Sequence, residues 1–112
     1  MNGAVLALLA LAALPAAAQK FPAFDVPDLQ RGRSVWMGTC QACHGNPDAD
    51  APQMLDKAAW KPRLAKGKPV LYASALGGFK GESEMPARGG NATLSDEDVK
   101  RAVDYMTQVA SP

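Results

Sequence analysis

Two cysteines and a histidine stand close together near the middle of the chain. Cys40 and Cys43 are separated by two residues, and His44, the only histidine, follows directly. Residues i and i+3 of a helical turn lie on one face, so both thiols can reach the two vinyl groups of one porphyrin. His44, one residue further, can then bind the iron. The pattern is typical of covalent attachment of a c-type haem.

Other chemistry could use the same residues. A disulfide between Cys40 and Cys43 would close a very short loop and constrain the unfolded chain little. A thioredoxin-like redox pair requires a βαβ context, and the sequence lacks alternating apolar strands. A zinc site normally has four ligands, of which these residues and His44 supply three. Haem attachment is therefore the favoured interpretation.

An iron held by His44 has one axial position left, and thioether sulfur is a suitable soft ligand for it. Four methionines follow the initiator. Met37 lies one turn before Cys40 and cannot cross to the far face of the porphyrin. Met54 follows His44 by only ten residues, and its apolar neighbour suggests packing. Met106 has core spacing in a C-terminal helix, where methionine is most often filler.

Met85 is the remaining candidate for the second axial position. It lies 41 residues beyond His44, so the chain can pass over the porphyrin and present sulfur from the opposite side. Pro86, Gly89 and Gly90 predict a non-helical loop around it. We therefore expect His44 and Met85 as the two iron ligands.

The first 18 residues are mostly apolar, with 15 apolar side chains. The run from Ala4 to Leu14 ends at Pro15 and is followed by three alanines of the kind that signal peptidase accepts. We predict a secretory signal peptide over 1–18 and a single domain over 19–112, exported to the periplasm. A retained membrane anchor is the alternative, but the run falls short of the roughly 20 residues that span a bilayer.

The composition limits what the rest of the chain can do. Beyond residue 18 there are six Leu, six Val and no Ile. Small domains with so few large aliphatic residues usually depend on a disulfide, metal or cofactor. The formal net charge of +1 disfavours binding to nucleic acid or membranes. The composition therefore predicts one small domain whose core a cofactor completes.

The first helix is expected to begin at an N-cap, Asp28, and to end at the attachment site. Apolar or small residues recur along it at spacings of three or four: Leu29, Gly32, Trp36 and Cys40. The segment from Phe21 to Pro27 contains two prolines and two phenylalanines. It predicts an extended arm laid on the core.

Further helices are expected downstream. A C-terminal helix begins after the cap Ser95, with Leu94 packing on Val99 as a hydrophobic staple. Its predicted buried stripe comprises Val99, Ala102, Val103, Met106 and Val109. A short helix starts near Pro69 and stops at Gly77 and Gly78, and another turn runs from Asp56 to Trp60 and ends near Pro62. No segment predicts a strand, so the fold class is all-α.

Together these residues resemble the class I cytochromes c, specifically the small bacterial branch called cytochrome c-five. Gly32 and Trp36 match the family's glycine and aromatic residue on the first helix, and Tyr105 matches the aromatic residue on the last. In that family the two helices cross closely at the glycine. The branch is indicated by two long segments, APQMLDKAAWKPRLAKGKPVLYASALGGFKG and MPARGGNATLSDEDVKRAVDYM.

The resemblance implies three to five short helices wrapped around one covalently attached haem c. Thioether bonds are expected at Cys40 and Cys43, and axial ligation from His44 and Met85. No disulfide is expected, because the second cysteine pair of some members is absent.

Supporting residues are also implied. The carbonyl of Pro52 is expected to accept the other ring N–H of the ligand histidine, with Pro47 as the nearer alternative. Trp60 and Arg63 are candidates for binding haem propionates, against packing and a solvated charge. Ala87 departs from the branch, which often has a second proline there, and so weakens the expectation of a rigid ligand loop.

The implied function is single-electron transfer in the periplasm by a carrier rather than an enzyme, because a six-coordinate iron has no site for substrate. The alternatives are a cytochrome subunit of a larger periplasmic oxidoreductase and a ligand-binding haem protein. Six basic and no acidic residues occur over 57–81: Lys57, Lys61, Arg63, Lys66, Lys68 and Lys80. This pattern suits an acidic redox partner, against an ordinary solvated face.

Overall fold

The computed structural model describes Gly3 and residues 20–81 and 83–112. In these ranges the elements are α1 (Pro27–Val35), a π-helical segment (Trp36–Cys40), α2 (Gln41–His44), α3 (Lys57–Leu64), α4 (Lys68–Gly77), β1 (Phe79–Lys80), β2 (Glu84–Met85), a 3₁₀ turn (Ala87–Gly90) and α5 (Asp96–Ala110). The predicted signal peptide lies, apart from Gly3, outside the described residues. None of the described helices is long and apolar enough to cross a membrane.

The helix that carries the attachment motif begins two residues earlier than predicted, at Pro27 rather than at Leu29. Val26 occupies the N-cap position without a side-chain cap, and Pro27 opens the helix, where its fixed φ is suitable and its missing N–H is not needed. The prediction of Asp28 as N-cap was therefore wrong. Asp28 lies in the first turn, where its charge is favourable at the positive end of the helix dipole.

The backbone widens just before His44. Over Trp36–Cys40 the helix is π-helical, so that a backbone N–H donates to the carbonyl five residues earlier. The N–H of Gln41, for example, donates to the carbonyl of Trp36. Such π-helical turns insert one extra residue and are frequent at functional sites. The helix nevertheless continues through both cysteines to His44, so the predicted end of the helix at the attachment motif is confirmed.

The core forms where α1 crosses α5. Trp36 and Tyr105 are fully buried there, with ring centroids 5.9 Å apart. The predicted N-terminal arm packs onto this pair: Phe21 is buried edge-on against Trp36, and the Tyr105 hydroxyl donates to the Pro22 carbonyl at 2.7 Å. The arm thus closes one side of the core.

The C-terminal helix follows its predicted pattern. The Ser95 hydroxyl accepts from the backbone N–H of Asp98, and Leu94 packs on the cluster that contains Val99. All members of the predicted stripe are buried: Val99, Ala102, Val103, Met106 and Val109. The predicted start and buried stripe of α5 are therefore confirmed, although Asp104, Tyr105, Thr107 and Ala110 are buried as well.

Of the two middle helices, only α3 differs from expectation, at its C-terminal end. Asp56 caps α3 by accepting from the N–H of Ala59, but α3 runs through Pro62 to Leu64 instead of ending there. Pro62 is the sixth of the eight residues of α3, and its missing N–H removes a single hydrogen bond close to the end of the helix. α4 begins at Lys68 with Pro69 in its first turn and ends at Gly77, as predicted, with Gly78 in a left-handed conformation.

A small hairpin was not predicted. β1 and β2 pair antiparallel, with Phe79 opposite Met85 and Lys80 opposite Glu84. Two-residue strands are too short to produce a visible alternation in sequence. Met85 therefore lies in a short strand rather than an irregular loop, while the fold remains mostly helical as expected.

Candidate cofactor cleft

One cleft brings the predicted site residues together. It encloses about 1160 Å³ of non-protein space, part of it open to solvent, and is lined mainly by apolar side chains. The lining includes all seven predicted residues: Cys40, Cys43, His44, Pro52, Trp60, Arg63 and Met85.

The two thiols lie on the cleft wall and are not bonded to each other. Cys43 is exposed and Cys40 is partly buried. Burial, with a smaller contribution from Cys43, raises the pKa of the Cys40 thiol to about 11. Both sulfurs are therefore available to a group seated in the cleft.

His44 is buried, and the segment that contains Pro52 and Met54 fixes the orientation of its ring. Its Nδ1 lies 2.7 Å from the carbonyl oxygen of Pro52, and the backbone N–H of Met54 donates to the His44 carbonyl at 2.8 Å. Since a carbonyl can only accept, Nδ1 carries the proton and Nε2 keeps its lone pair. Burial lowers the pKa of His44, opposed by the Pro52 hydrogen bond and assisted by Arg63. A neutral imidazole with a free Nε2 is the form that binds a metal.

Met85 lines another part of the cleft, from β2. It packs against a cluster of α4 and α5 residues formed by Ala75, Val99 and Val103. Gly78 makes this approach possible, since a Cβ there would lie 3.0 Å from the Met85 carbonyl oxygen, and its φ of 87° suits glycine. The end of α4 therefore supports the backbone of Met85.

The other described methionines are engaged in the core. Met54 is fully buried outside the cleft lining, and Met37 packs on the core from the π-helical segment. Leu55, the neighbour from which packing of Met54 was argued, is itself largely exposed. Met106 does reach the cleft, but its sulfur accepts the indole N–H of Trp36 at 3.3 Å.

Trp60 and Arg63 lie side by side on α3 at the cleft. The Trp60 indole N–H donates to the Gln53 carbonyl at 2.9 Å, and its ring centroid lies 6.1 Å from that of His44. One Arg63 nitrogen donates to the Ala59 carbonyl at 2.6 Å, and the guanidinium lies over the Trp60 ring. Trp60 thus has its donor occupied, whereas Arg63 keeps further N–H groups.

Comparison with known proteins identifies the family. The sequence profile described as "Cytochrome C oxidase, cbb3-type, subunit III" matches residues 27–106. The chain is 42% identical to cytochrome c-555 of Chlorobaculum tepidum over 80 residues, 70% of this chain and 74% of that protein. It is 40% identical to cytochrome c5 of Azotobacter vinelandii over 78 residues, 68% of this chain and 90% of that one. The chain belongs to the class I cytochromes c.

The same family is found by structure. A chain in the crystal structure of an electron transfer complex of nitrite reductase with cytochrome c superposes with a TM-score of 0.62 at 39% identity, covering 71% of this chain and 94% of that chain. This cytochrome is therefore a haem-based electron carrier with a covalently bound haem c. The cleft fits that group, because its walls are mainly apolar and carry two free thiols beside a buried imidazole with one unused nitrogen.

Only part of the basic segment faces the cleft. Lys57 donates to the carbonyl of Ser111 at 2.5 Å, and Lys68 lies 3.2 Å from the Asp104 carboxylate. Lys66 lines the cleft beside Arg63 and extends over the Phe79 ring. Four of the six basic residues are thus divided between structural contacts and the cleft rim, while Lys61 and Lys80 are exposed outside the cleft lining.

Some cleft residues were not singled out from sequence. They include the apolar Val70, Leu71 and Phe79 together with Thr39 and Ser74. The i, i+1 and i+4 positions of α4 could have indicated Val70, Leu71 and Ser74, since a helix wrapped on a haem turns one face to it. Phe79 had no such signal, because its position depends on the hairpin.

Proposed function

We propose that this cytochrome is a diffusible periplasmic one-electron carrier. Its iron would be bound by His44 and Met85, with thioether bonds to Cys40 and Cys43. The observation that carries the proposal is that His44, with Nδ1 committed to Pro52, lines the same cleft as Met85, whose sulfur no described residue binds. Imidazole and thioether together are a ligand pair of electron-transfer cytochromes.

Protein groups then have defined roles in the transfer. Pro52 keeps His44 in one tautomer and orientation, so the ligand does not have to rearrange when the charge on the iron changes. The apolar walls exclude water from the ligands. With His44 and Met85 both bound to the iron, no position would be left for a substrate, which is why we infer a carrier and not an enzyme.

The haem carboxylates require a charged or N–H donor. Arg63 is the better candidate of the two predicted residues, because its guanidinium lines the cleft and keeps unused N–H groups. Trp60 donates its N–H to Gln53, so we propose that it contributes its ring as a wall beside His44. Of the two roles that the sequence left open for Trp60, binding a haem propionate or packing, we therefore propose packing.

The cleft rim would receive the redox partner. Arg63 and Lys66 line the rim, Lys61 is exposed on the same helix as Arg63, and no acidic residue occurs over 57–81. Asp50 and Glu84 also line the cleft, so the positive surface is confined to the side that α3 and Lys66 form. That side would attract a partner with an acidic surface and speed encounter more than it adds affinity. The similarity to a chain from an electron transfer complex supports a protein as partner.

A second candidate is a cytochrome subunit of a larger periplasmic oxidoreductase. The description of the matching family profile, which names a subunit of a cytochrome c oxidase, favours it. Purification from periplasm separates the two proposals. A subunit would stay with a partner in high salt, whereas a carrier would elute alone. N-terminal sequencing of the same protein should begin at Gln19 if the segment 1–18 is a cleaved signal.

The decisive experiment is the visible and near-infrared spectrum of the exported protein. The wild type should be low-spin in both oxidation states, with a methionine-to-iron charge-transfer band in the ferric form. Met85→Ala should abolish the band, while Met37→Leu, outside the cleft, should keep it. A band that survives in Met85→Ala and disappears in Met106→Leu would assign the ligand to Met106 instead. Rapid carbon monoxide binding to the reduced wild type at neutral pH would favour a ligand-binding haem protein.

A further inference from the structure

The residues after Met85 have an unusual backbone. Arg88 has a φ of 57°, and it is the sole non-glycine residue with positive φ in the ranges that the structure describes. Gly89 and Gly90 follow with φ of 61° and 83°. Left-handed geometry is unfavourable for a residue with a Cβ, and it persists where surrounding contacts impose it. Something must therefore hold Arg88 in place.

The side chain of Arg88 provides that hold. One guanidinium nitrogen donates to the Leu94 carbonyl at 2.9 Å, and another is bonded to the Asp96 carboxylate. Leu94 and Asp96 flank Ser95, the N-cap of α5. Arg88 thus ties the segment after Met85 to the first turn of the longest helix.

The same segment is also fixed on its other side. The Asn91 amide donates to the Thr39 hydroxyl at 3.2 Å, and a Cβ on Gly89 would lie 3.1 Å from the Thr39 methyl group. Thr39 immediately precedes Cys40 on the helix that bears the attachment motif. The segment after Met85 is therefore held between that helix and α5, and Arg88 supplies its only charged contact to α5 among the described residues.

We propose that Arg88 is a positioning residue that keeps the Met85 thioether in the cleft by anchoring the following segment to α5. This inference rests on the proposed function, in which Met85 is an iron ligand. Loss of the anchor would let the segment move away and increase the fraction of molecules in which Met85 has left the iron. An external ligand binds only that fraction, so its apparent affinity measures the anchor.

The test uses imidazole titration of the ferric, haem-loaded protein. Arg88→Gly removes the anchor while allowing the left-handed backbone, and Asp96→Asn removes the acceptor charge. We expect Arg88→Gly to raise imidazole affinity roughly tenfold, as loss of a hydrogen bond to a charged group would. Asp96→Asn should raise it by only about two- to fivefold, because the hydrogen bond from Arg88 to the Leu94 carbonyl remains. Arg88→Lys keeps a positive charge near Asp96 and should give an intermediate affinity.

A matched pair of controls lies on the same turn of α5. Arg31 of α1 makes two 2.9 Å hydrogen bonds to the Asp98 carboxylate, a similar pair that does not touch the Met85 segment. Arg31→Ala and Asp98→Asn should leave imidazole affinity unchanged even where they lower thermal stability. If all four variants shift imidazole affinity in proportion to their loss of stability, or if none shifts it, Arg88 has no positioning role.

Failure of the underlying proposal gives a different result. If Met85 is not a ligand, the charge-transfer band of the wild type survives in Met85→Ala, and both proposals fall. If the band requires Met85 but Arg88→Gly binds imidazole as the wild type does, only the role of Arg88 is overturned.

Discussion

Gly32 of α1 lies directly against the backbone of Arg101 of α5. A Cβ at Gly32 would approach the Arg101 carbonyl carbon to 2.7 Å and its oxygen more closely still, and would also lie 3.0 Å from the Cβ of Tyr105. Backbone atoms on both sides cannot yield as a flexible side chain could. α1 and α5 can therefore approach this closely only while residue 32 is glycine.

Replacing Gly32 with alanine should accordingly separate the helices. We expect a loss of about 2–3 kcal/mol in the free energy of unfolding, at the upper end of overpacking effects, measured by urea denaturation. Gly38→Ala is the control, because a Cβ there meets nothing within 4 Å. It should be neutral or slightly stabilising through helix propensity. Equal stability of the two variants would refute the close-packing argument.

Asp104 should make the stability of the protein sensitive to acid. This nearly buried carboxylate joins α5 to α4 through the Tyr72 hydroxyl and Lys68, and it also pairs with Arg101. Burial raises its pKa, but hydrogen bonds from Tyr72, Lys68 and Arg101 outweigh burial, so the pKa lies below the ordinary value. The stabilisation is therefore complete above the unfolded pKa of about 3.9 and is lost as pH falls through the folded pKa.

The matching experiment is Asp104→Asn with denaturation measured from pH 7 to pH 3. We expect a loss of about 1–3 kcal/mol at pH 7 that becomes smaller as the wild type is itself protonated. Asp48→Asn, at an exposed position, should track the wild type throughout. A gap between wild type and Asp104→Asn that stays constant down to pH 3 would contradict the assignment.

Lys66 should influence how fast a partner docks. We expect Lys66→Glu to slow electron transfer with a soluble, net-negative redox protein by about three- to tenfold at low salt, and to flatten the dependence of the rate on ionic strength. Stopped-flow absorbance measures both effects. Lys20→Glu changes the net charge equally, but Lys20 lies directly before the N-terminal arm and outside the cleft lining, so this variant should have a smaller effect. Identical rates for the two variants would show that only total charge matters.

The covalent haem should be required for folding. Because large aliphatic residues are scarce and a large apolar cleft lies between the helices, the chain without haem leaves much of its core unfilled. The double variant Cys40→Ser, Cys43→Ser should lose most of its helical signal in circular dichroism, whereas Cys43→Ser alone keeps one thioether and should retain more. Native helix content in the double variant would refute this dependence.

Several features follow from sequence because they depend on residues close in the chain. The spacing of Cys40, Cys43 and His44 places the three side chains close together on one helical turn, whatever the rest of the fold. The cap at Ser95 and the apolar stripe of α5 likewise need only neighbouring residues, and both are confirmed. Even here a competing local signal can prevail: Asp28 was predicted as the N-cap, but the helix begins two residues earlier than that cap implies, at Pro27.

Other features depend on chain segments far apart in sequence. The sequence left Pro47 and Pro52 as possible acceptors for the His44 ring, and only the return of the chain brings the Pro52 carbonyl to 2.7 Å. The pairing of Phe79 with Met85, the occupied indole N–H of Trp60 and the left-handed Arg88 were also decided by tertiary contacts. The sequence by itself therefore determined which groups this cytochrome presents to a haem. Packing between distant segments decided how those groups are held, because the hydrogen bonds and contacts that hold them form only once the helices meet.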